Sequence, residues 1–237
     1  MPNPSGTSVR DSAVDALMAL LAERAWAEVS LADIAEKAGC SLADLRDAYP
    51  SKGAILAAFS RRIDHVVLAG GGSDADMQFQ PARERIFDVL MRRFDALAPY
   101  KAAVRSARSG LLRDPAAATA WNRVAVTSAQ WMLAAAGVRE SGVVGSAKAQ
   151  ALALLFARVL RTWLDDDEAG LSRTMRKLDH ELRRAERAVQ TSDMVAHTLS
   201  PFTRICRAVL NDRPSKRRAR RSGDGDPGET QDPVTAI

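Results

Sequence analysis

Two helix start signals follow each other closely near the N-terminus, and they constrain the fold more than any other feature of the sequence. Ser30 precedes Asp33 by three residues, and Ser41 precedes Asp44 by three residues. This is the capping-box arrangement, in which a serine hydroxyl and a carboxylate each accept a backbone N–H at the start of a helix. Gly39 stands between the two signals, where a left-handed residue commonly ends a helix. The sequence therefore predicts two short helices joined by a tight turn.

Apolar residues recur at helical spacing along most of the remaining chain, and no stretch shows the sustained alternation of a strand. A first helix is expected over about 8–25, and a longer one begins after Pro50-Ser51, which break the chain and cap this longer helix. Later helices are expected over 116–136 and 146–164, the second of them apolar almost all round. We predict an all-α fold of about 9–10 helices, with a small helical head at the N-terminus and a larger helical bundle after it.

The stretch Gly70-Gly71-Gly72-Ser73 interrupts the helical pattern and marks the predicted domain boundary. After Pro214 the sequence is rich in Lys and Arg and then in Gly, Asp and Pro, a composition typical of disorder. The predicted domains are a helix-turn-helix head over 1–69, a linker over 70–81, a helical body over 82–212 and a disordered tail, first basic and then acidic, over 213–237.

The formal net charge of +5 is distributed unevenly along the chain. Residues 204–221 carry +7, so the rest of the chain carries −2. The head over 1–69 also carries −2, and its helix-turn-helix segment over 30–52 carries −1. Because phosphate neutralisation supplies much of the affinity of DNA-binding proteins, a DNA-binding surface in this head is expected to bind weakly at physiological salt.

Residues that could carry chemistry are scattered through the sequence. Cys40 and Cys206 are far apart and form no metal-ligand pattern with His65, His180 or His197. No nucleotide-binding loop or nucleophile motif is present. No signal-peptide core and no apolar run of about 18 residues is evident. We therefore predict a cytoplasmic protein that is not an enzyme and that uses no metal or cofactor.

The segment 30–52 resembles the helix-turn-helix of the TetR family of transcriptional regulators. The resemblance rests on small residues where two helices cross, on an aromatic residue at the end of the second helix and on a Pro-Ser-Lys start to the next: Ile34, Ala35, Ala38, Gly39, Leu45, Tyr49, Pro50, Ser51 and Lys52. The order of the predicted helices extends it over roughly 8–190. It implies a homeodomain-like three-helix head followed by a TetR-type helical bundle, operator DNA as the partner, and a small apolar ligand in the body.

By this resemblance, the helix over about 42–49 would enter the major groove of double-stranded DNA. The candidate DNA-binding residues are Ser30, Ser41, Leu42, Ala43, Asp44, Arg46, Asp47, Tyr49 and Lys52. Asp44, like Asp33, is equally interpreted as a capping residue, Tyr49 as a core residue and Arg46 as a solvated surface residue. Lys52, beside a helix N-terminus that favours anions, is the strongest candidate for a phosphate contact.

The predicted body is rich in bulky apolar side chains, which in this family would surround a ligand cavity and which also fit an ordinary core. The candidate cavity residues are Phe87, Met91, Phe94, Trp121, Trp131, Met132, Phe156 and Trp163. Apolar positions after the acidic run step alternately by four and three residues, as in a coiled coil: Leu171, Met175, Leu178, Leu182, Ala185 and Val189. This seam needs a partner helix, so a homodimer through 146–164 and 171–189 is expected.

A second resemblance leads to a different function. Some proteins resemble the TetR fold without acting on DNA, notably the lipid-binding accessory proteins of ubiquinone biosynthesis. Here residues 201–221 combine a short amphipathic helix with a polybasic extension, a pattern typical of membrane-surface elements. The alternative function is therefore a TetR-fold protein that has lost DNA recognition, binds a lipid or isoprenoid, and contacts membranes through 201–221. A helix docked on the body, followed by a solvated basic tail, explains the same residues.

Overall fold

A computed structural model describes residues 8–71, 79–138 and 141–187 of this chain. Every regular element among these residues is helical, which confirms the predicted all-α fold. The helices are α1 (Val9–Glu23), α2 (Leu31–Ala38), α3 (Leu42–Ala48), α4 (Lys52–Ala69), α5 (Ala82–Leu97), α6 (Lys101–Leu112), α7 (Pro115–Ala135), α8 (Gly142–Leu164) and α9 (172–187). Short 3-10 turns, Trp26–Glu28 and Ala98–Tyr100, precede α2 and α6.

The start and stop signals of the two short helices act as the sequence predicts. The Ser30 hydroxyl accepts a hydrogen bond from the Asp33 N–H at 3.1 Å, and the Asp33 carboxylate accepts one from the Ser30 N–H at 2.7 Å. Ser41 and Asp44 form the same pair of bonds at 3.1 and 3.2 Å. Gly39 has φ 67° and ψ 33°, a left-handed conformation that glycine adopts without steric cost. Both capping boxes are confirmed.

The first four helices enclose a common set of buried apolar side chains. Leu17 of α1, Ile34 of α2, Leu45 of α3 and Ile55 of α4 are all buried in it. Helices as short as α2 and α3 are not stable alone in water. Burial of each such side chain contributes about 1.5–3 kcal/mol, so the head exists because its helices share this core.

Helix α4 packs both within the head and against the body. It contacts α1 on one side and α5 and α7 on the other, while α6 packs along α1. One continuous cluster of buried apolar residues therefore runs through helices on both sides of the predicted linker. The domain limits predicted at 69, 81 and 212 stay predictions, and the last of them lies outside the described residues.

Helix α8 packs on α7 and contributes Leu152, Leu155, Val159 and Trp163 to the core. By length and composition it is the one helix among the described residues that is apolar enough to cross a membrane. The expectation that no such run exists was therefore wrong. A core helix of a globular protein can have the same composition, and α8 buries part of its surface in the core, with 28% of its most apolar 18-residue stretch buried.

The acidic run Asp165 to Glu168 forms a turn that starts α9, as predicted. One carboxylate oxygen of Asp166, a residue only 1% exposed, accepts the Thr174 N–H at 2.8 Å and the Thr174 hydroxyl at 2.7 Å. Burial raises the pKa of Asp166, but the bonds from Thr174, a bond from the Glu168 backbone and the charge of Arg173 together hold that pKa below its usual value. The ionised carboxylate supplies the cap that Leu171, at the first position before the helix, has no polar atom to provide.

Part of the predicted coiled-coil seam is used within the chain itself. Leu178 and Leu182 of α9 are buried, and the α5 residue Arg83 forms an ion pair with Asp179 at 2.7 Å. Met175 remains 38% exposed. The seam position at residue 189 and the basic segment 201–221 lie outside the described residues.

Candidate functional site

Helix α3 presents an exposed face on the surface of the head. Its outward residues are Leu42, Ala43, Asp44, Arg46 and Asp47. Leu45, on the opposite face, anchors the helix to the core and is 2% exposed. Leu45 is the only buried residue of α3, so most of this short helix is available to a partner.

Arg46 is the only cationic side chain on the exposed face of α3. Among the described residues it makes no hydrogen bond or ion pair, and neither does its neighbour Asp47. A free guanidinium can donate two parallel hydrogen bonds to a guanine edge or to a phosphate. The two flanking acids, Asp44 and Asp47, reduce the positive potential of this face, in agreement with the net charge of the segment.

Tyr49 belongs to the core of the head. The residue is 7% exposed, its hydroxyl donates to the Arg10 backbone carbonyl at 3.2 Å, and the Arg10 guanidinium lies 5.3 Å from the ring centroid. These contacts join the end of α3 to the start of α1. They favour the core interpretation of Tyr49 over a DNA contact.

Ser30, Ser41 and Asp44 are exposed and Asp33 is half-buried, and each cap uses the serine hydroxyl and one oxygen of the carboxylate. Hydrogen bonds from the Ser30 hydroxyl and backbone N–H lower the pKa of Asp33, and those of Ser41 lower the pKa of Asp44. Both carboxylates therefore stay ionised at neutral pH. Their first role is to hold α2 and α3 at their N-termini.

The Lys52 ammonium points back into the head instead of outward. It donates to the backbone carbonyls of Trp26 at 2.6 Å and Val29 at 2.7 Å, and it lies 4.4 Å from the centroid of the Trp26 ring. Burial lowers the pKa of Lys52. This geometry favours a structural role, in which Lys52 ties the start of α4 to the turn before α2, over the predicted phosphate contact.

Helices α4 to α8 enclose a cavity of about 400 Å³, a volume within the usual range for small-molecule sites. Its wall is mainly apolar, and each of the five helices contributes to it. The α4 residues in the wall are Leu56, Phe59, Ser60 and Ile63; α5 contributes Leu90, Arg93 and Leu97, and α6 contributes Val104, Ala107, Arg108, Leu111 and Leu112.

The predicted cavity residues fall into three groups. Trp121, Met132 and Phe156 line the cavity. Phe94 and Trp163 lie behind this wall, fully buried, with the Phe94 ring stacked on Phe156 at 4.9 Å and on Trp163 at 5.5 Å between centroids.

The three other candidates do not line the cavity. Phe87 and Met91 pack at the edge of the core, and Phe87 faces a shallow groove beside α9. Trp131 is 55% exposed and shares the outer face of α7 with Arg123 and Thr127, eight and four residues earlier. A rotation of about 100° per residue separates Trp131 from Met132, which points inward.

A buried ion pair connects α4 and α5 at the inner end of the cavity. The Arg93 guanidinium donates to the Asp64 carboxylate, and Ser128 of α7 donates to the same carboxylate at 2.7 Å. Arg93 also donates to the Ser60 hydroxyl at 3.3 Å. All four residues are at most 7% exposed, so the charges neutralise each other away from water.

Sequence reasoning missed this pair and the α4 part of the wall. A signal was present, because Arg93 falls between Leu90 and Leu97 on the apolar stripe of α5, and Asp64 adjoins Ile63 on the stripe of α4. A charged residue inside a core-facing stripe indicates a buried partner. The sequence does not indicate which partner.

Helix α6 also connects the cavity to the head. Its residue Gly110 lies directly against Trp26, and the Ser106 hydroxyl donates to the Arg24 backbone carbonyl at 2.8 Å. The opposite side of α6 carries Val104 and Arg108 in the cavity wall. A displacement of α6 by a ligand would therefore reach the turn that Lys52 holds.

Among the described residues, no group of three or more His, Cys, Asp or Glu side chains is placed to hold a metal ion. The site thus consists of an exposed helix face and an apolar cavity that is partly open to solvent, joined by α4 and α6. This combination defines a helix-turn-helix head joined to a helical bundle that contains a cavity of small-molecule size.

Solved structures share this fold. The TetR transcriptional regulator from Nitrosomonas europaea ATCC 19718 superposes with a TM-score of 0.60 and 24% sequence identity, covering 76% of this chain and 99% of that one. A TetR transcriptional regulator from Rhodococcus sp. RHA1 gives a TM-score of 0.51 at 21% identity, covering 73% and 96%. No protein-family model and no curated protein matches the sequence. The chain therefore has the TetR-like fold, established by structure and confirming the predicted resemblance.

Proposed function

We propose that this protein is a DNA-binding transcriptional regulator whose affinity for its operator depends on a ligand in the body. The observation that carries the proposal is the position of α4, which begins beside the exposed face of α3 and lines the cavity with Leu56, Phe59 and Ile63. The proposed role is binding and signalling in the cytoplasm, without catalysis.

The exposed face of α3 is the proposed contact with the major groove. Arg46 would read a base edge or a phosphate, and Leu42 and Ala43 would make apolar contacts. The acidic flanks make the phosphate contribution small, so specificity depends on few contacts and on two heads acting together.

The proposed switch is a shift between head positions. A ligand that fits only one arrangement of α4 and α6 stabilises that arrangement by its differential affinity. The Arg93–Asp64 pair fixes α4 to α5, and the Trp26–Gly110 contact fixes α6 to the head. Because of these two contacts, a movement of α4 or α6 at the cavity would also move the head that carries the exposed face of α3.

We propose a homodimer through α8 and the outer face of α9. Helix α8 carries an exposed stripe with steps of three and four residues: Val144, Ala147, Ala151 and Leu154. Small apolar residues with this spacing let two helices approach closely. An Ala151→Glu variant, changed at an exposed stripe position outside the cavity wall, should shift the protein toward monomer in analytical ultracentrifugation. A Lys37→Glu control, at an exposed lysine of α2 in the head, should stay dimeric.

Binding-site selection from a random duplex library tests the regulator proposal. At about 150 mM salt, where screening weakens contacts made only to phosphate, the protein should enrich a palindromic motif. Arg46→Gln should relax the preference at one position of each half-site. Arg61→Gln, an exposed arginine further along α4, is the matched control and should leave the motif unchanged.

Recovery of no motif, together with sequence-independent binding that disappears when residues 204–221 are deleted, would contradict this proposal. That result would instead favour the lipid-binding alternative, in which the acidic head has no DNA partner.

A further inference from the structure

The cavity wall is mainly apolar, and the charged side chains in it are all positive. It contains two guanidinium groups, Arg93 and Arg108, and none of its described residues is a carboxylate. Arg93 is neutralised by Asp64. Arg108 makes no hydrogen bond or ion pair with any residue in the described part of the chain. The unpaired charge of the wall is therefore positive.

Arg108 lies toward the open end of the cavity. It is partly exposed, and Leu112, one helical turn further along α6 in the same wall, is 66% exposed. The inner end, marked by Ser60 and Ser128, is buried and its polar atoms are paired. A ligand with an apolar body and one charged end would fit with the body inside and the charge near water.

We propose that this cavity binds an amphipathic carboxylate, an organic acid with an extended apolar body, and that Arg108 binds its carboxylate group. A guanidinium presents two parallel N–H donors that match the two oxygens of a carboxylate. The inference rests on the proposed function and deepens it by naming the chemical class of the effector.

Other pairings are less favourable on physical grounds. A carboxylate bound to Arg93 would leave Asp64 as a buried charge without its partner, at a large cost. A cationic ligand would meet two arginines and no acid. A neutral ligand would cover Arg108 and take water from it without replacing the lost hydrogen bonds.

Calorimetric titration of the full-length protein with three matched probes tests the inference. Decanoate, decanol and decyltrimethylammonium share one alkyl chain and are used below the concentrations at which they form micelles. Decanoate should bind saturably, tighter than decanol by about tenfold or more because its hydrogen bonds are charge-assisted. Decyltrimethylammonium should not bind.

Substitutions of Arg108 test whether this side chain binds the carboxylate group of decanoate. Arg108→Gln should weaken decanoate to the level of decanol and leave decanol unchanged, and Arg108→Lys should restore part of the difference. Arg113→Gln removes an exposed arginine that follows the same helix outside the cavity wall, and it should change neither probe. Equal affinities for decanoate and decanol, an unchanged decanoate affinity in Arg108→Gln, or no saturable decanoate binding would overturn the inference.

The titration contains no DNA, so its outcome does not depend on whether the protein is a regulator. An enriched operator without carboxylate binding would remove only the inference about the ligand. Carboxylate binding to Arg108 without any operator would support the inference and remove the regulator.

Discussion

Trp26 and Gly110 form a direct contact between the head and the helix that lines the cavity. A Cβ atom built on Gly110 would lie 2.3 Å from Cγ of Trp26, a separation that atoms in proteins do not tolerate. The indole also lies under the Lys52 ammonium. One aromatic ring thus joins α6, the turn before α2 and the start of α4.

Gly110→Ala should therefore lower the unfolding temperature, although alanine normally stabilises a helix relative to glycine by about 0.5–1 kcal/mol. The new methyl group forces Trp26 or α6 to move. Gly53→Ala is the matched control, because a Cβ at Gly53 meets only an ordinary contact at 3.8 Å and should be neutral or stabilising. The double variant Trp26→Leu, Gly110→Ala should recover part of the loss. Thermal unfolding followed by circular dichroism measures all three, and a stabilised Gly110→Ala variant would show that the contact is not tight.

Removal of one partner of the Arg93–Asp64 pair should destabilise the protein by about 3–5 kcal/mol, because the remaining charge stays buried. The double variant Arg93→Met, Asp64→Leu removes both charges and should cost less than the sum of the single changes. Urea unfolding followed by tryptophan fluorescence gives these free energies. Strictly additive costs would mean that the two charges do not stabilise each other.

Lys52→Met should reduce stability without changing the salt dependence of DNA binding. The carbonyls of Trp26 and Val29 lose their donor, and the Trp26 ring loses the ammonium that lies beside it. A phosphate contact would instead reduce the slope of log affinity against log salt by about one. Lys37→Met removes an exposed lysine of α2 as the control for stability. A reduced slope with an unchanged unfolding temperature would restore the phosphate-contact interpretation of Lys52.

The stability of the head should depend on acidic pH through Asp33 and Asp44. Their pKa values in the folded protein lie below the usual 3.8, because serine hydroxyl and backbone N–H groups bond to the ionised form. Their contribution is therefore fully present above about pH 4 and is lost as the pH falls through the lowered folded values.

The double variant Asp33→Asn, Asp44→Asn tests this at several pH values. It should unfold at a lower temperature than the unchanged protein at neutral pH, and the difference should narrow below about pH 3.8. Asp47→Asn, an exposed change on α3, is the control and should unfold at nearly the same temperature as the wild-type protein at neutral pH. A constant difference for the double variant down to about pH 3 would rule out the capping carboxylates as its source.

Local features of the fold were predictable from the sequence because their causes act within a few helical turns. Ser30 with Asp33, Gly39, and the acidic start of α9 all depend on neighbours three to eight residues away. The site depends on longer distances. Asp64 and Arg93 are 29 residues apart, and spacing alone does not reveal that two stripes face each other.

The cavity shows the same limit. Of the cavity residues proposed from the sequence, Trp121, Met132 and Phe156 lie in the cavity wall, whereas the rotation of α7 places Trp131 on the surface. Lys52 resembles a phosphate contact in sequence, yet a tryptophan carbonyl lies within its reach in the folded head. Only the packed structure determines which of two plausible partners a long side chain meets.

The coupling between ligand binding in the cavity and DNA binding by the head tests the proposed regulation. The affinity for an enriched duplex is measured by fluorescence anisotropy with and without saturating decanoate, and the affinity for decanoate is measured with and without the duplex. We expect both affinities to change by the same factor. We also expect Arg108→Gln to shift the effect of decanoate on DNA affinity to higher decanoate concentrations. A DNA affinity that is unaffected by decanoate, despite saturable decanoate binding in the cavity, would contradict the proposed regulation.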